Sequence, residues 1–238
     1  MLRRRAESFG AVADAYERAR PGYPREAVAW IAADAHEILD LGAGTGKLTR
    51  GLVALGRAVV AVEPSPEMAA QLSQAVPAAR VFAGTAEAIP LPEASVDAVV
   101  AGQAYHWFDP PRALPEIARV LRPSGRLGLV WNSRDETVPW VARLSELLAQ
   151  GAWGEGPEQS IEVSGLFGPV ERAEFRLEQP LDRGSLLELV RSASGVAVLD
   201  EAARREVLAA VGRLFDAAAT RGEVVLPYVT RCFRAVRR

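Results

Sequence analysis

Three glycines at alternate positions, Gly42, Gly44 and Gly46, follow Asp40 and Leu41 at the end of an apolar run. Glycine in this density serves a backbone that must take positive φ, or that lets a ligand approach closer than a Cβ permits. A small-molecule cofactor is therefore expected to touch main chain here. The phosphate loop of nucleotide hydrolases, G-x-x-x-x-G-K-[ST], fails twice: counting back from Gly46-Lys47 puts Leu41 in the first glycine slot, and Leu48 stands where Ser or Thr is needed. The dinucleotide fingerprint G-x-G-x-x-G fits poorly, since its third glycine falls on Lys47. What remains is an acid followed by G-x-G-x-G. A carboxylate beside the turn suits a cationic ligand, whereas a phosphate wants helix N-terminal amides. A tight turn that binds nothing is the structural alternative, disfavoured by the number of glycines and their place at a strand end.

A second acid, Glu63, closes the apolar run Ala58 to Val62, twenty-one residues after Gly42. A carboxylate there can accept hydrogen bonds from both hydroxyls of a ribose, a role common to several adenosine-bearing cofactors. Ser65 is expected to cap a helix that starts at Pro66 with Glu67 in its first turn. Further along lie Gly84-Thr85-Ala86-Glu87 and the polar-aromatic run Gly102-Gln103-Ala104-Tyr105-His106-Trp107-Phe108.

The elements that position these residues alternate. Strands are expected at Glu37–Leu41, 58–62, Arg80–Ala83, 95–101 and 126–131, with helices at 46–55, from Pro66, and at 112–121. Such alternation predicts an α/β fold with a mostly parallel sheet, and the loop after the fourth strand then opens onto the ligand crevice beyond the strand carboxyl ends. After Asn132 the pattern changes to a helix at 138–150, a loop at 151–156, a strand at 170–179, a helix capped by Asp200, and a closing strand, 224–236, broken by Pro227.

Composition narrows the class. With 238 residues, 49% hydrophobic and 24% charged, the chain can bury a full core as one domain. A net charge of −2, with arginines interleaved among acids, argues against a nucleic-acid surface. No h-region follows Met1-Leu2-Arg3-Arg4-Arg5 and no apolar run reaches membrane-spanning length, so a cytoplasmic protein without a membrane partner is expected. Cys232 has no partner for an internal disulfide and is expected to be a buried strand residue. The histidines are His36 and His106, no Cys/His cluster has ligand spacing, and no metal is expected.

The strand-turn LDLGAGTGKLT resembles motif I of the class I S-adenosylmethionine-dependent methyltransferases. Phe9, Tyr16, Arg20-Pro21-Gly22-Tyr23-Pro24, the VEPS at Val62 to Ser65, GQAYHWF, RVLRPSG at Arg119 to Gly125 and VWNSRD at Val130 to Asp135 follow in the order of the branch that includes trans-aconitate methyltransferase. The likeness spans roughly the first 140 residues and thins beyond them. Ala43 stands where many relatives have cysteine and Ser124 where many have glycine; neither change removes a required group.

The resemblance implies a Rossmann-like seven-stranded sheet flanked by helices, completed by an antiparallel C-terminal hairpin, with helical insertions as a lid. It divides residues 1–238 into an N-terminal segment over the site (1–30), a cofactor-binding core (31–132) and substrate-side helices with the closing strands (133–238). The implied cofactor is S-adenosylmethionine, released as S-adenosylhomocysteine. Its amino-acid end would lie near Asp40, Gly42 and Gly44, its ribose at Glu63, and its adenine between Ala86 and Glu87, with Ala43, Gly46, Pro64, Met68, Thr85 and Gln103 completing the set. Met68 is equally a core filler.

A sulfonium-bound methyl is already activated, so transfer needs chiefly an aligned nucleophile. A small acceptor, methylated on oxygen, is expected, and the protein is read as a monomer or homodimer. His106 is the histidine placed to act as a base for a hydroxyl acceptor, or else part of the pocket wall beside Tyr105 and Trp107. Tyr16, Arg20, Tyr23, Trp107, Trp131 and Asn132 are the acceptor-side candidates. Arg20 offers a planar fork for a carboxylate, or a surface ion pair; Trp131 lines the cavity or packs in the sheet. An NAD-dependent oxidoreductase and a non-catalytic cofactor-binding protein remain as alternatives.

Overall fold

The computed structural model describes residues 20–148 and 156–238. Among these, seven strands form one sheet in the order β3-β2-β1-β4-β5-β7-β6. The strands are β1 (Glu37–Leu41), β2 (Ala58–Glu63), β3 (Arg80–Ala83), β4 (Val96–Gly102), β5 (Leu121–Arg134), β6 (Glu171–Leu181) and β7 (Val224–Val236). The first five pair in parallel, while β7 runs antiparallel between β5 and β6. The expected α/β sheet with an antiparallel closing hairpin is thus what the chain forms. β1, β2 and β4 carry apolar residues on both faces, interrupted by Asp40 in β1 and Asp97 in β4, because helices cover both sides of the sheet.

Alternate residues along each strand enter opposite cores. Leu39, Leu41, Val99, Leu127 and Leu129 pack with Leu114 and Ile117 of α4 (Pro110–Val120). Ile38, Val59, Ala98 and Val100 pack with Val28 and Ile31 of α1 (Arg25–Ala32) and with Leu48 and Leu52 of α2 (Lys47–Ala54). Cys232 is buried in this second core, as expected for a strand residue. Between β2 and β3, α3 (Pro66–Ala75) begins as read from the sequence, with Ser65 Oγ accepting from the Met68 amide at 3.3 Å.

A third core gathers the C-terminal helices: α5 (Pro139–Leu147), α7 (Arg183–Arg191), α8 (Ser194–Ala197) and α9 (Glu201–Ala218). The short α6 (Glu158–Val163) lies instead with the first core through Ile161. The apolar stripe of α9, entered through Asp200 Oδ1 capping the Ala203 amide at 2.8 Å, packs with Leu181, Val224 and Leu226 from the outer ends of β6 and β7. The turn after α7 meets the N-terminal segment at Ser192, whose carbonyl accepts from Arg20 at 3.4 Å. The helix expected at 138–150 is described to residue 148, and residues 151–155 of the following loop lie outside the described residues, as do Phe9 and Tyr16.

Two expectations need correction. Pro227 does not break β7: it pairs opposite Glu178, and its carbonyl accepts from the Asp135 amide at 2.9 Å. A residue's N–H and C=O point to the same side of a strand, so the missing proline donor faces β5 just past its last residue, where no ladder bond is lost. Nor do Arg122-Pro123-Ser124-Gly125 form a separate turn between the helix expected at 112–121 and the strand expected at 126–131. They are absorbed into β5 where the pairing register shifts between Val96 and Ala98. Ser124 takes φ +63°, the left-handed region, and a Cβ on Gly125 would meet the carbonyls of Arg122 and Asp97 at 2.9 Å.

The two neighbouring substitutions should therefore have opposite signs. Ser124→Gly relieves a strained φ and is expected to stabilise the fold by about 1 kcal/mol. Gly125→Ala forces backbone apart and is expected to destabilise by more than about 1 kcal/mol. Urea denaturation midpoints of both variants against the parent check the pair; equal signs would refute this account of the bend.

Candidate active site

The strand order reverses between β1 and β4, and this switch point opens a crevice at the strand carboxyl ends. The glycine turn leaves β1 at its rim. Gly42, Gly44 and Gly46 all take positive φ, at +68°, +56° and +91°, but for different purposes. A Cβ on Gly42 would sit 2.8 Å from the Cβ of Ala104, so this glycine lets the turn meet the loop after β4. One on Gly46 would strike Leu72 of α3 at 2.9 Å, a packing requirement. One on Gly44 would meet nothing within 4 Å and would project into open space.

Four amides of the turn are consumed within the protein. Those of Gly42 and Ala43 both donate to the Val62 carbonyl, at 2.8 and 3.2 Å, and that of Gly46 donates to the Ala43 carbonyl at 3.0 Å. The Gly44 amide donates to Glu63 Oε2 at 2.8 Å. Such a turn does not present the row of amides that a pyrophosphate requires. It presents carboxylates instead.

Asp40 is fully buried at the end of β1. Its Oδ2 accepts from the Thr49 hydroxyl at 2.6 Å, and its Oδ1 has no hydrogen-bond partner among the described residues. Burial, reinforced by the like charge of Glu63 and opposed by Thr49, pushes the Asp40 carboxyl up to about 7. Glu63 Oε1 accepts from the Ser65 amide at 2.9 Å, so each oxygen of this carboxylate holds one main-chain donor. Burial raises Glu63 as well, against the pull of its two amides. A buried acceptor without a donor is costly, and here it stands beside a second carboxylate and an opening at Gly44. A ligand bearing positive charge and hydroxyl donors fits this arrangement; a phosphorylated one does not.

The remaining expected cofactor residues separate. Gln103 follows β4 with φ +56°, an uncommon conformation for a non-glycine residue, locked by its amide on the Val130 carbonyl at 2.9 Å and its side chain on the Asn132 carbonyl at 3.2 Å. Met68 is half-buried, while Pro64 and Thr85 are exposed. Ala86 instead belongs to the sheet core. Glu87 clamps the loop after β4 by accepting from the Asp109 amide at 2.9 Å; burial works to raise its pKa, but that amide, its own, Thr85 and Arg112 together hold it below the usual range.

Of the residues read as acceptor-side, Trp131 packs in the core, edge-on to Tyr105 and Phe233 at ring distances of 6.4 and 5.8 Å. Asn132 is a junction: its Nδ2 donates to the Gly22 carbonyl at 2.8 Å and its Oδ1 accepts from Thr230 at 2.7 Å. Tyr23 lays its hydroxyl against Gly102, where a Cβ would come within 2.6 Å. His106 and Trp107 are exposed and stack in a tilted pair at 4.8 Å. Crowding by surrounding chain, then the charge of Arg20, holds His106 below the usual histidine range. Tyr16 lies outside the described residues. Sequence reasoning overlooked Thr49 and Arg134. A lone hydroxyl in the apolar stripe of α2 was the available signal for the first; the second had none.

A methyltransferase domain model matches residues 39–129, the stretch from β1 to β5 that carries the turn. An uncharacterised methyltransferase of Mycobacterium tuberculosis is 47% identical over 232 residues, 96% of this chain and 95% of its own. The chain belongs to the class I methyltransferase family. A protein of Anaeromyxobacter dehalogenans described as a type II methyltransferase shares the fold of this methyltransferase, with a TM-score of 0.69 at 29% identity over 92% of this chain and 97% of that one. Over 125 residues, about half of each chain, the present sequence is 35% identical to the malonyl-[acyl-carrier protein] O-methyltransferase of Pectobacterium atrosepticum. Among the described residues, no group of three or more His, Cys, Asp or Glu side chains is placed to hold a metal, and no helix is long and apolar enough to cross a membrane.

The carboxylates set a pH dependence. A cationic ligand prefers ionised Asp40, so its affinity is complete above the Asp40 value of about 7 and falls as pH drops through it, by up to about tenfold per unit. In the free protein the sign reverses, because a buried carboxyl with a raised pKa is most stabilising while protonated; stability declines from pH 3.8 towards 7. Calorimetric titration with S-adenosylmethionine between these limits and pH 8 should show the slope, and Asp40→Asn should flatten it; a flat parent profile would contradict the assignment. Gly44→Ala adds a methyl to open space in the crevice. It should weaken the same titration at least tenfold, while strained φ costs the fold only about 1 kcal/mol in a thermal melt.

Proposed function

We propose that this methyltransferase moves the methyl group of S-adenosylmethionine to an oxygen of a small organic acceptor. The observation that carries the reading is the glycine turn whose amides are spent on Val62, Ala43 and Glu63 while Asp40 and Glu63 bring two buried carboxylates to it. A sulfonium-bearing, phosphate-free adenosyl donor answers both features. The bound donor supplies an activated methyl carbon: its bond to sulfur breaks as the bond to oxygen forms, and sulfur keeps the electron pair as the neutral thioether of S-adenosylhomocysteine.

The protein's part is to align and to manage protons. In this reading Asp40 receives the ammonium of the donor and Glu63 its ribose hydroxyls, supported by the unpartnered Asp40 Oδ1 and by the carboxylate of Glu63 at the neighbouring strand end. A carboxylate acceptor arrives ionised and needs no base, whereas a hydroxyl acceptor must lose its proton. His106, kept neutral near pH 7 by its surroundings and by Arg20, is in the state to take it. Direction to oxygen is supported by the O-methyltransferase name of the Pectobacterium relative. It is supported also by Gln103-Ala104-Tyr105-His106 standing after β4, where enzymes that methylate base amino groups often carry an Asn-Pro-Pro-Tyr type of segment. The ordered motifs shared with the trans-aconitate methyltransferase branch favour a small molecule.

Calorimetry with S-adenosylhomocysteine should show binding, and NADH should leave the tryptophan fluorescence unchanged. Radiolabelled methyl transfer into a metabolite extract, with mass spectrometry of the product, should yield an ester or ether. His106→Gln should slow a hydroxyl acceptor by about a hundredfold and leave a carboxylate acceptor unaffected. No binding of S-adenosylhomocysteine at millimolar concentration would end the proposal.

A further inference from the structure

The two oxygens of the Asp40 carboxyl have different surroundings, and the residue that separates them is Thr49 of α2. Its hydroxyl donates to Oδ2 at 2.6 Å, and neither side chain has any exposed surface. A carboxyl tethered through one oxygen cannot turn freely, so the other, Oδ1, is held in its own place, shielded from solvent and without a partner among the described residues. The walls around the pair are apolar. Asp40 stands between Ala61 of β2 and Val100 of β4 in the sheet. The loop after β4 meets the glycine turn through Ala104 and Phe108 at Gly42, and α3 meets it through Leu72 and Val76 at Gly46. Charged groups come from two elements: Glu63 ends β2, and α2 carries Lys47, half-buried, and Arg50, exposed.

An ionised carboxylate with one oxygen in so dry a place is costly, and a proton on that oxygen removes the cost. Burial is the largest influence on Asp40 and raises it; the Thr49 hydroxyl pulls against burial, Glu63 adds to the rise, and the Thr49 amide gives a further downward pull. The balance leaves the carboxyl at about 7, where both protonation states are populated at neutral pH. Without the hydroxyl the balance tips towards the acid. A hydrogen bond to the charged form is what keeps ionisation within reach.

We propose that Asp40 trades a proton for a cation at Oδ1, and that Thr49 is the positioning residue that permits the trade by holding Oδ2. In the empty protein Oδ1 carries the proton. As a positively charged ligand enters, the O–H bond breaks, the electron pair stays on Oδ1 and the proton leaves to the buffer. Thr49 touches neither ligand nor methyl group and acts through Asp40. The trade rests on the S-adenosylmethionine reading above, whereas the proton on the empty protein does not.

Infrared spectra of the full chain without ligand, recorded from about pH 5 to about pH 9, read the carbonyl band of a buried carboxylic acid. One such band should fade with a midpoint of about 7 and be missing from Asp40→Asn. Thr49→Val should move the midpoint up by about one pH unit, and Thr49→Ser, which keeps the hydroxyl, should leave it near the parent value. Thr49→Ala should shift it in the same direction as valine, which keeps the test open if the valine variant does not fold. Calorimetry with S-adenosylhomocysteine, whose ammonium is the cation, is then run in two buffers of different ionisation heat. At about pH 8 the parent should release about a tenth of a proton per ligand bound and Thr49→Val about half, and at about pH 6 both should release nearly one. No acid band above about pH 5, or a midpoint unmoved in both Thr49→Val and Thr49→Ala, would overturn the proposal. So would binding at about pH 6 without proton release. The expected band together with no binding of S-adenosylhomocysteine would sink the donor reading and the trade with it, and leave the buried acid standing.

Discussion

A carboxylate buried without full compensation is the constraint around which this molecule is arranged. Asp40 ends β1 beneath the glycine turn, shielded from solvent, with Thr49 satisfying one of its oxygens and nothing among the described residues satisfying the other. Desolvation of an ionised group is expensive unless a charge or a hydrogen bond offsets it. The free protein offsets it by keeping the carboxyl near its protonation midpoint at neutral pH. The cost makes sense when the site is made to receive a cation.

The parallel register brings the second carboxylate into place. Leu41 pairs with Val62, so β1 and β2 end side by side, and Glu63 meets the turn as it leaves β1. The Val62 carbonyl takes two turn amides and Glu63 takes a third, which folds the turn inward around protein acceptors. That choice of partners, more than the number of glycines, separates this turn from a phosphate cradle. Gly42 then closes against Ala104, so the loops after β1 and β4 meet at the switch point of the sheet.

The antiparallel half of the sheet supplies the other side of the crevice. β7 inserts between β5 and β6 and carries Tyr228 and Thr230 to the partners Arg134 and Asn132. Asn132 joins three otherwise separate pieces, Gly22, Gln103 and Thr230, through its side chain and carbonyl. Gln103 keeps its left-handed backbone because this junction surrounds it. The glycine-turn side of the strand ends is thus made from local, consecutive chain, and the Asn132 side from segments far apart in sequence.

That difference explains what could be read in advance. The sequence by itself determined the alternating strands, the capped α3 and α9, the roles of Gly42 and Gly44 as backbone freedom, and Asp40 and Glu63 as the acids at two adjacent strand ends, because each depends on spacing within one βα unit. Only the tertiary structure decided that Trp131 and Ala86 are core, that Pro227 sits in an unbroken strand past the end of its neighbour, and that Thr49 holds Asp40. It alone brought Asn132 to the Gly22 carbonyl, 110 positions apart in the chain. Periodicity reports which face a residue occupies, but not what lies across from it; that is set by strand order, register and the packing of distant segments.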